Sequence, residues 1–145
     1  FIAPLTIPKM AMSVTETLLQ QKIAVELIAR YNIPWLYSAD FIEDPQRLSI
    51  ALDRMAKKRY PITALGFQNQ AAAYRSHNTR DSLKQIKHPT LIIAGEDDLM
   101  SPLKISKEIM QALPKAKYVM IPKTAHLAHV EKPAEFIGIV LEFLS

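Results

Sequence analysis

Two loops in the last third of the chain hold the residue types from which a proton relay is built. Gly95-Glu96-Asp97-Asp98-Leu99-Met100-Ser101-Pro102 supplies carboxylates, and Thr124-Ala125-His126-Leu127-Ala128-His129-Val130-Glu131-Lys132-Pro133 supplies imidazole. An imidazole whose Nδ1–H donates to a carboxylate is held in one tautomer. Its Nε2 can then take a proton from a nucleophile while the carboxylate stabilises the resulting imidazolium. Asp98 with His126 is a candidate unit of this kind, provided that the fold brings the two loops side by side. A surface acid in a turn and an ordinary loop histidine are the plain alternative. No nucleophile that could complete the pair precedes either loop.

The elements around these loops have a parallel-sheet pattern. Thr90-Leu91-Ile92-Ile93-Ala94 is a continuous apolar run between Pro89 and Gly95, as expected of a strand covered on both faces. Pro102, Ile105, Ile109 and Leu113 form the stripe of a helix that Pro114 ends, and Tyr118-Val119-Met120-Ile121 is a second strand closed by Pro122. A last helix starts at Pro133 and sends Phe136, Ile139, Val140, Phe143 and Leu144 inward. Strand, helix, strand, helix predicts a parallel βαβα unit, with Asp98 and His126 just beyond the carboxyl ends of its strands, where ligands gather in such sheets.

From Ser13 to Ile86 the pattern is helical. Ser13 and Glu16 have capping-box spacing, and Leu19, Ile23, Leu27 and Ile28 predict one helix ending near Arg30. Asp44-Pro45 is the N-cap and first residue of a second helix with Leu48, Ala51, Leu52 and Met55 on one face. Pro61 opens a third, and a short fourth covers Asn78 to Ile86. Ser101 is expected to cap the helix at Pro102.

A chain of 145 residues, 49% hydrophobic, suffices for one globular domain or a piece of a larger one. With no cysteine, disulfides, thiolate catalysis and sulfur-ligated zinc are excluded. The net charge of +4 is spread over Lys57-Lys58-Arg59, Lys84 with Lys87, and Lys115, Lys117 and Lys123, which predicts solvated surface and no nucleic-acid groove. Only three glycines are present, too few for a glycine-rich phosphate loop. There is no long apolar run and no signal-like start, so no membrane is expected and the default location is cytoplasmic. The start at Phe1 suggests a processed or truncated segment. His126 and His129 with Glu131 could be drawn as a metal site, but His-x-x-His on a loop with no third pre-set ligand is seldom one, and no metal site is expected; His77 and His88 are expected at the surface. Trp35, Tyr37 and Phe41, and the methionines Met10, Met12 and Met55, fit either a substrate pocket or packing, and packing is favoured.

Two strands alone cannot form a stable parallel sheet, because each leaves an edge of unpaired backbone groups. A partner is predicted: a further polypeptide segment or a second copy of the chain.

The chain resembles the carboxyl-terminal half of the α/β-hydrolase fold. Gly95, Asp98 and Pro102 match the Gly-x-x-Asp-x-x-x-Pro of the acid loop, and His126, Glu131, Pro133 and Phe136 match the histidine loop. The 28-residue separation of Asp98 and His126 also fits. The resemblance implies a helical cap over residues 1–86 and the carboxyl-terminal part of the core over 87–145, with Asp98 as catalytic acid in preference to Asp97, and His126 as base. Ala125 departs from the usual glycine before the histidine; a left-handed backbone there would cost about 1 kcal/mol. The family's serine elbow, Gly-x-Ser-x-Gly, is absent: none of the eight serines (13, 38, 49, 76, 82, 101, 106, 145) has that setting.

What the resemblance implies is part of a hydrolase acting on a small apolar ester, lactone or related substrate, needing no cofactor. The nucleophile, a serine or in some relatives an aspartate, would come from elsewhere, and the chain alone would be inactive. The alternative is a non-catalytic assembly module that self-associates through its open sheet edge.

Overall fold

The structure, a computed structural model, describes residues 5–57 and 60–145. Lys58 and Arg59 of the first basic cluster, and the first four residues, lie outside the described residues.

The amino-terminal part is helical, but its divisions differ from those expected. Helix α1 spans Thr6–Gln20, so Ser13 lies inside it rather than capping it. Pro8, Ala11 and Thr15 are its buried stripe, which carries the helix back past Ser13. Pro8 is tolerated there because a first-turn N–H has no intrahelical partner. Glu16 pairs with Arg75 at 2.7 Å instead of reaching back to a cap.

The single helix expected to run to Arg30 is broken after Gln20, and α2 spans Val25–Leu36. Lys22 has φ 54°, its N–H donates to the Leu19 carbonyl, and the Ile23 N–H donates to that of Leu18. This is a Schellman termination built on lysine rather than glycine. The left-handed lysine costs about 1 kcal/mol, and the chain gives no glycine signal of the break.

Short α3 (Ala39–Ile42) follows, capped by the Ser38 side chain. Helix α4 (Pro45–Ala56) begins as expected, with Asp44 accepting from the N–H groups of Gln46 and Arg47. Helix α5 (Ala64–Ser76) begins at the cap Thr63, beyond Pro61. The expected fourth helix is a 3₁₀ turn over Arg80–Gln85.

Strands β1 (Thr90–Gly95) and β2 (Ala116–Ile121) pair in parallel, in register from Thr90 opposite Ala116 to Gly95 opposite Ile121. Helix α6 (Leu103–Ala112) connects them. Leu83 and Leu113 form a buried cluster with Ile92, Ile105 and Ile109 packed on it, joining the 3₁₀ turn, β1 and α6. After β2 come the short helix α7 (Ala128–Glu131) and α8 (Pro133–Leu144), the latter started by Pro133. Phe136, Ile139, Val140 and Phe143 are half-buried. Leu144, expected inward, is 72% exposed because it lies with Ile137 and Leu141 on the other face.

Among the described residues the sheet has two strands, so each has an edge with no strand beside it. A second cluster unites Ile33, Tyr37, Phe41 and Ala51 with Leu127 and Val130 of the histidine segment. The helical part and the histidine loop thus share one apolar core. Full burial of such a side chain stabilises by roughly 1.5–3 kcal/mol, and the half-buried Leu127 and Val130 contribute part of that in holding the loop to the helices.

Candidate active site

The parallel register carries the two loops out of the sheet at the same level, and the contact between them is tight. A Cβ on Gly95 would lie 2.2 Å from the carbonyl oxygen of Ala125 and 2.6 Å from that of Thr124. Only glycine fits at this crossing. Across it the Asp97 N–H donates to the Thr124 carbonyl at 2.9 Å, and the Glu96 side chain accepts from the Lys123 N–H at 3.0 Å. Thr124 is fully buried and its hydroxyl donates to the Ile121 carbonyl, closing the turn after β2.

Asp98 is buried and divided in its hydrogen bonding. Its Oδ1 accepts from the N–H groups of Met100 and Ser101, each at 2.8 Å, and its Oδ2 lies 3.0 Å from His126 Nδ1. The first pair fixes the carboxylate in its own loop; the second orients the imidazole. Asp97 is exposed and donates its backbone N–H to the histidine loop, while it is Asp98 that lies at the imidazole.

The hydrogen bond that His126 donates to Asp98 raises the His126 pKa above its ordinary 6.5. Burial opposes this and the carboxylate charge reinforces it. The arrangement can hold a proton on Nδ1 and accept another on Nε2. At 38% side-chain exposure, the ring is open to a reacting group.

Ser101 does not cap α6: the N-cap position falls on Pro102, and the Ser101 main chain is taken up by Asp98. Ala125 needs no left-handed backbone, since the positive φ in this loop belongs to Lys123, at 52°. The close approach that a glycine before the histidine would permit is provided from the other side by Gly95.

Two contributors were not singled out for the site by the sequence. Glu131, matched only as part of a motif, is buried, and its Oε1 accepts from the Ala125 N–H at 2.8 Å. Ser38 donates to the same carboxylate through its N–H at 3.3 Å and through its hydroxyl. These partners are 93 positions apart, and no local pattern announces them.

His129 packs against Phe136 with ring centroids 5.7 Å apart, and His77 and His88 are exposed. Tyr37 and Phe41 stack at 4.4 Å inside the core, with the Arg47 guanidinium 4.3 Å from the Phe41 ring. They pack the helices onto the histidine loop. A cavity of about 510 Å³ opens among α1, α2, α4 and α5, lined by Leu19, Ile23, Ile28, Leu36, Met55 and Phe67 among others. Among the described residues, no cluster of three or more His, Cys, Asp or Glu is placed to hold a metal ion. Among them, too, no helix is long and apolar enough to cross a membrane.

Comparison with known proteins identifies the fold. A sequence family described as alpha/beta hydrolase fold matches residues 4–133. A RutD protein of Pseudomonas savastanoi pv. phaseolicola is 33% identical over 111 residues, covering 77% of this chain and 42% of its own. The pimeloyl-(acyl-carrier protein) methyl ester esterase of Nitrosomonas europaea is 24% identical over 124 residues, covering 86% of this chain and 49% of its own. The crystal structure of MGS-M2, an alpha/beta hydrolase enzyme from a Medee basin deep-sea metagenome library, superposes with TM-score 0.80 at 22% identity. That match covers 99% of this chain and 53% of MGS-M2. The chain thus spans about half the length of the proteins it resembles.

Proposed function

The chain belongs to the alpha/beta hydrolase fold family, and on that premise we propose that it supplies the acid and base of a serine hydrolase. Residues 1–86 act as the cap and 87–145 as the carboxyl-terminal part of the catalytic core. Asp98 is the acid that orients, and His126 the base that moves the proton. The nucleophile and the oxyanion donors come from outside these 145 residues, since none of the eight serines stands in an elbow sequence.

The observation that carries this reading is the 3.0 Å contact between Asp98 Oδ2 and His126 Nδ1, with Oδ1 already occupied by two backbone donors. Asp98 fixes the tautomer, so Nε2 accepts the hydroxyl proton as the nucleophile attacks the substrate carbonyl. It then returns that proton to the leaving group. Water repeats the sequence on the acyl intermediate. The nucleophile, base and acid carry out these steps among themselves, and the reading calls for no cofactor.

The substrate is a small apolar ester or lactone. Support comes from the apolar lining of the cap cavity, whose Leu36 accepts a hydrogen bond from the Leu127 N–H, next to His126. The methyl ester esterase relative agrees with it. The site of action is the cytoplasm.

A serine-reactive phosphonate tests the proposal. Labelling is expected when the chain is mixed with an amino-terminal half carrying the serine elbow, and is expected to vanish in His126→Ala. No turnover and no labelling is expected of the pure chain.

A second reading, a non-catalytic assembly module, is favoured by the unpaired strand edges and the exposed Ile137, Leu141 and Leu144 of α8. Self-associated chain in light scattering, with no labelling under either condition, would establish it in place of the first.

A further inference from the structure

We propose that Glu131 is a positioning residue that ties the histidine loop to one short segment of the cap, residues 36–38, so that the seating of the cap sets the placement of His126 against Asp98. This rests on the catalytic reading of the pair.

A carboxylate only 6% exposed must be satisfied by donors or lose its charge. The donors of Glu131 come from two distant parts of the chain. Oε1 accepts from the Ala125 N–H at 2.8 Å, and both oxygens lie 3.3 Å from the Ser38 nitrogen. The Ser38 hydroxyl donates to Oε2. The main chain of Glu131 is held as well, its carbonyl accepting from Arg47 Nη2 at 2.7 Å. Glu131 therefore joins the histidine loop, the start of α3 and the first turn of α4.

The consequence for His126 follows from its two neighbours. Ala125 precedes it and is held through Glu131 to Ser38; Leu127 follows it and donates directly to the carbonyl of Leu36 at 3.1 Å. Both tethers of the histidine main chain end on the same segment of the cap. The 3.0 Å hydrogen bond to Asp98 weakens as the ring is displaced or misaligned. Any movement of residues 36–38 is thus transmitted to the base, and Leu36 also lines the cap cavity, so occupancy there acts on the same segment.

The test reads the imidazole directly by NMR titration of the full chain and by the resonance of the His126 Nδ1 proton. Glu131→Ala is expected to move the His126 pKa at least halfway back to its ordinary value and to broaden or abolish the Nδ1–H resonance. Glu131→Gln, which keeps the reach and one acceptor, is expected to restore part of the shift. Ser38→Ala tests the coupling, because its hydroxyl both bonds to Glu131 and caps α3, and both roles lie in the segment that is tied to the imidazole. It is expected to lower the pKa measurably and weaken the resonance. A folded Ser38→Ala protein with the wild-type titration and resonance would overturn the proposal, and it does so even where Glu131→Ala fails to fold. None of these readouts needs a nucleophile, so failed phosphonate labelling with intact coupling would sink only the catalytic reading.

Discussion

Gly95 crosses the histidine loop so closely that a methyl group on it would stand 2.2 Å from the Ala125 carbonyl oxygen. Both atoms that such a methyl meets first are backbone, with no side chain to turn aside. Gly95→Ala must therefore push the loop that carries His126 away from β1. Overpacking of this kind costs about 3 kcal/mol, the upper end of the usual range. A lower urea midpoint and a displaced His126 Nδ1–H resonance are expected; an unchanged midpoint and resonance would mean that the crossing is looser than the structure shows.

Asp98→Asn removes the main cause of the raised His126 pKa while keeping the shape of the acid loop. The remaining influence is burial, which lowers the value, so the imidazole is expected to titrate at or below 6.5. On the proposed catalytic reading, kcat of the chain reassembled with a nucleophile-bearing half should fall by about 10⁴-fold, because the amide cannot hold the required tautomer. NMR titration and single-turnover kinetics check the two parts separately.

The same shift links stability to pH. A folded-state pKa above the unfolded value means that the native chain binds the His126 proton more tightly. The resulting stabilisation is fully present below the unfolded value near 6.5 and is lost as pH rises through the raised folded value. Solvent screens the partly exposed ring, so the amplitude is small. Urea midpoints measured from about pH 5 to about pH 9 should show this decline, and His126→Gln should flatten it.

Asp44 caps α4 through two backbone N–H groups, at 2.9 and 3.1 Å. Asp44→Ala should cost about 1 kcal/mol in denaturant unfolding. One of those N–H groups is that of Arg47, whose side chain holds the Glu131 carbonyl. Loss of the cap is thus expected to shift the His126 resonances as well, whereas the equivalent change at Thr63, the cap of α5, should leave them in place.

How much of this was legible in the sequence depended on how local the cause was. The runs Leu91 to Ile93 and Tyr118 to Ile121, bounded by proline and glycine, marked both strands, and Asp44-Pro45 marked the start of α4. The contact between Asp98 and His126 was legible because adjacent parallel strands bring their loops side by side, with the acid-loop motif selecting Asp98 over Asp97. The end of α1 was not, since Lys22 takes the left-handed position where glycine gives the usual signal. Ser13 and Ser101 had the right type for caps but not the right backbone, one inside a helix and the other bound up by Asp98. The link from Ser38 to Glu131 spans most of the chain and depends on packing that no short window contains.

The parallel register leaves Gly95 opposite Ile121, with Asp98 three residues beyond the first and His126 five beyond the second. The meeting of acid and base is therefore written as two counts of residues as much as in the side chains themselves. Substitution at the intervening positions leaves those counts untouched, whereas removal of one residue from either loop would turn Asp98 or His126 aside with no functional group changed.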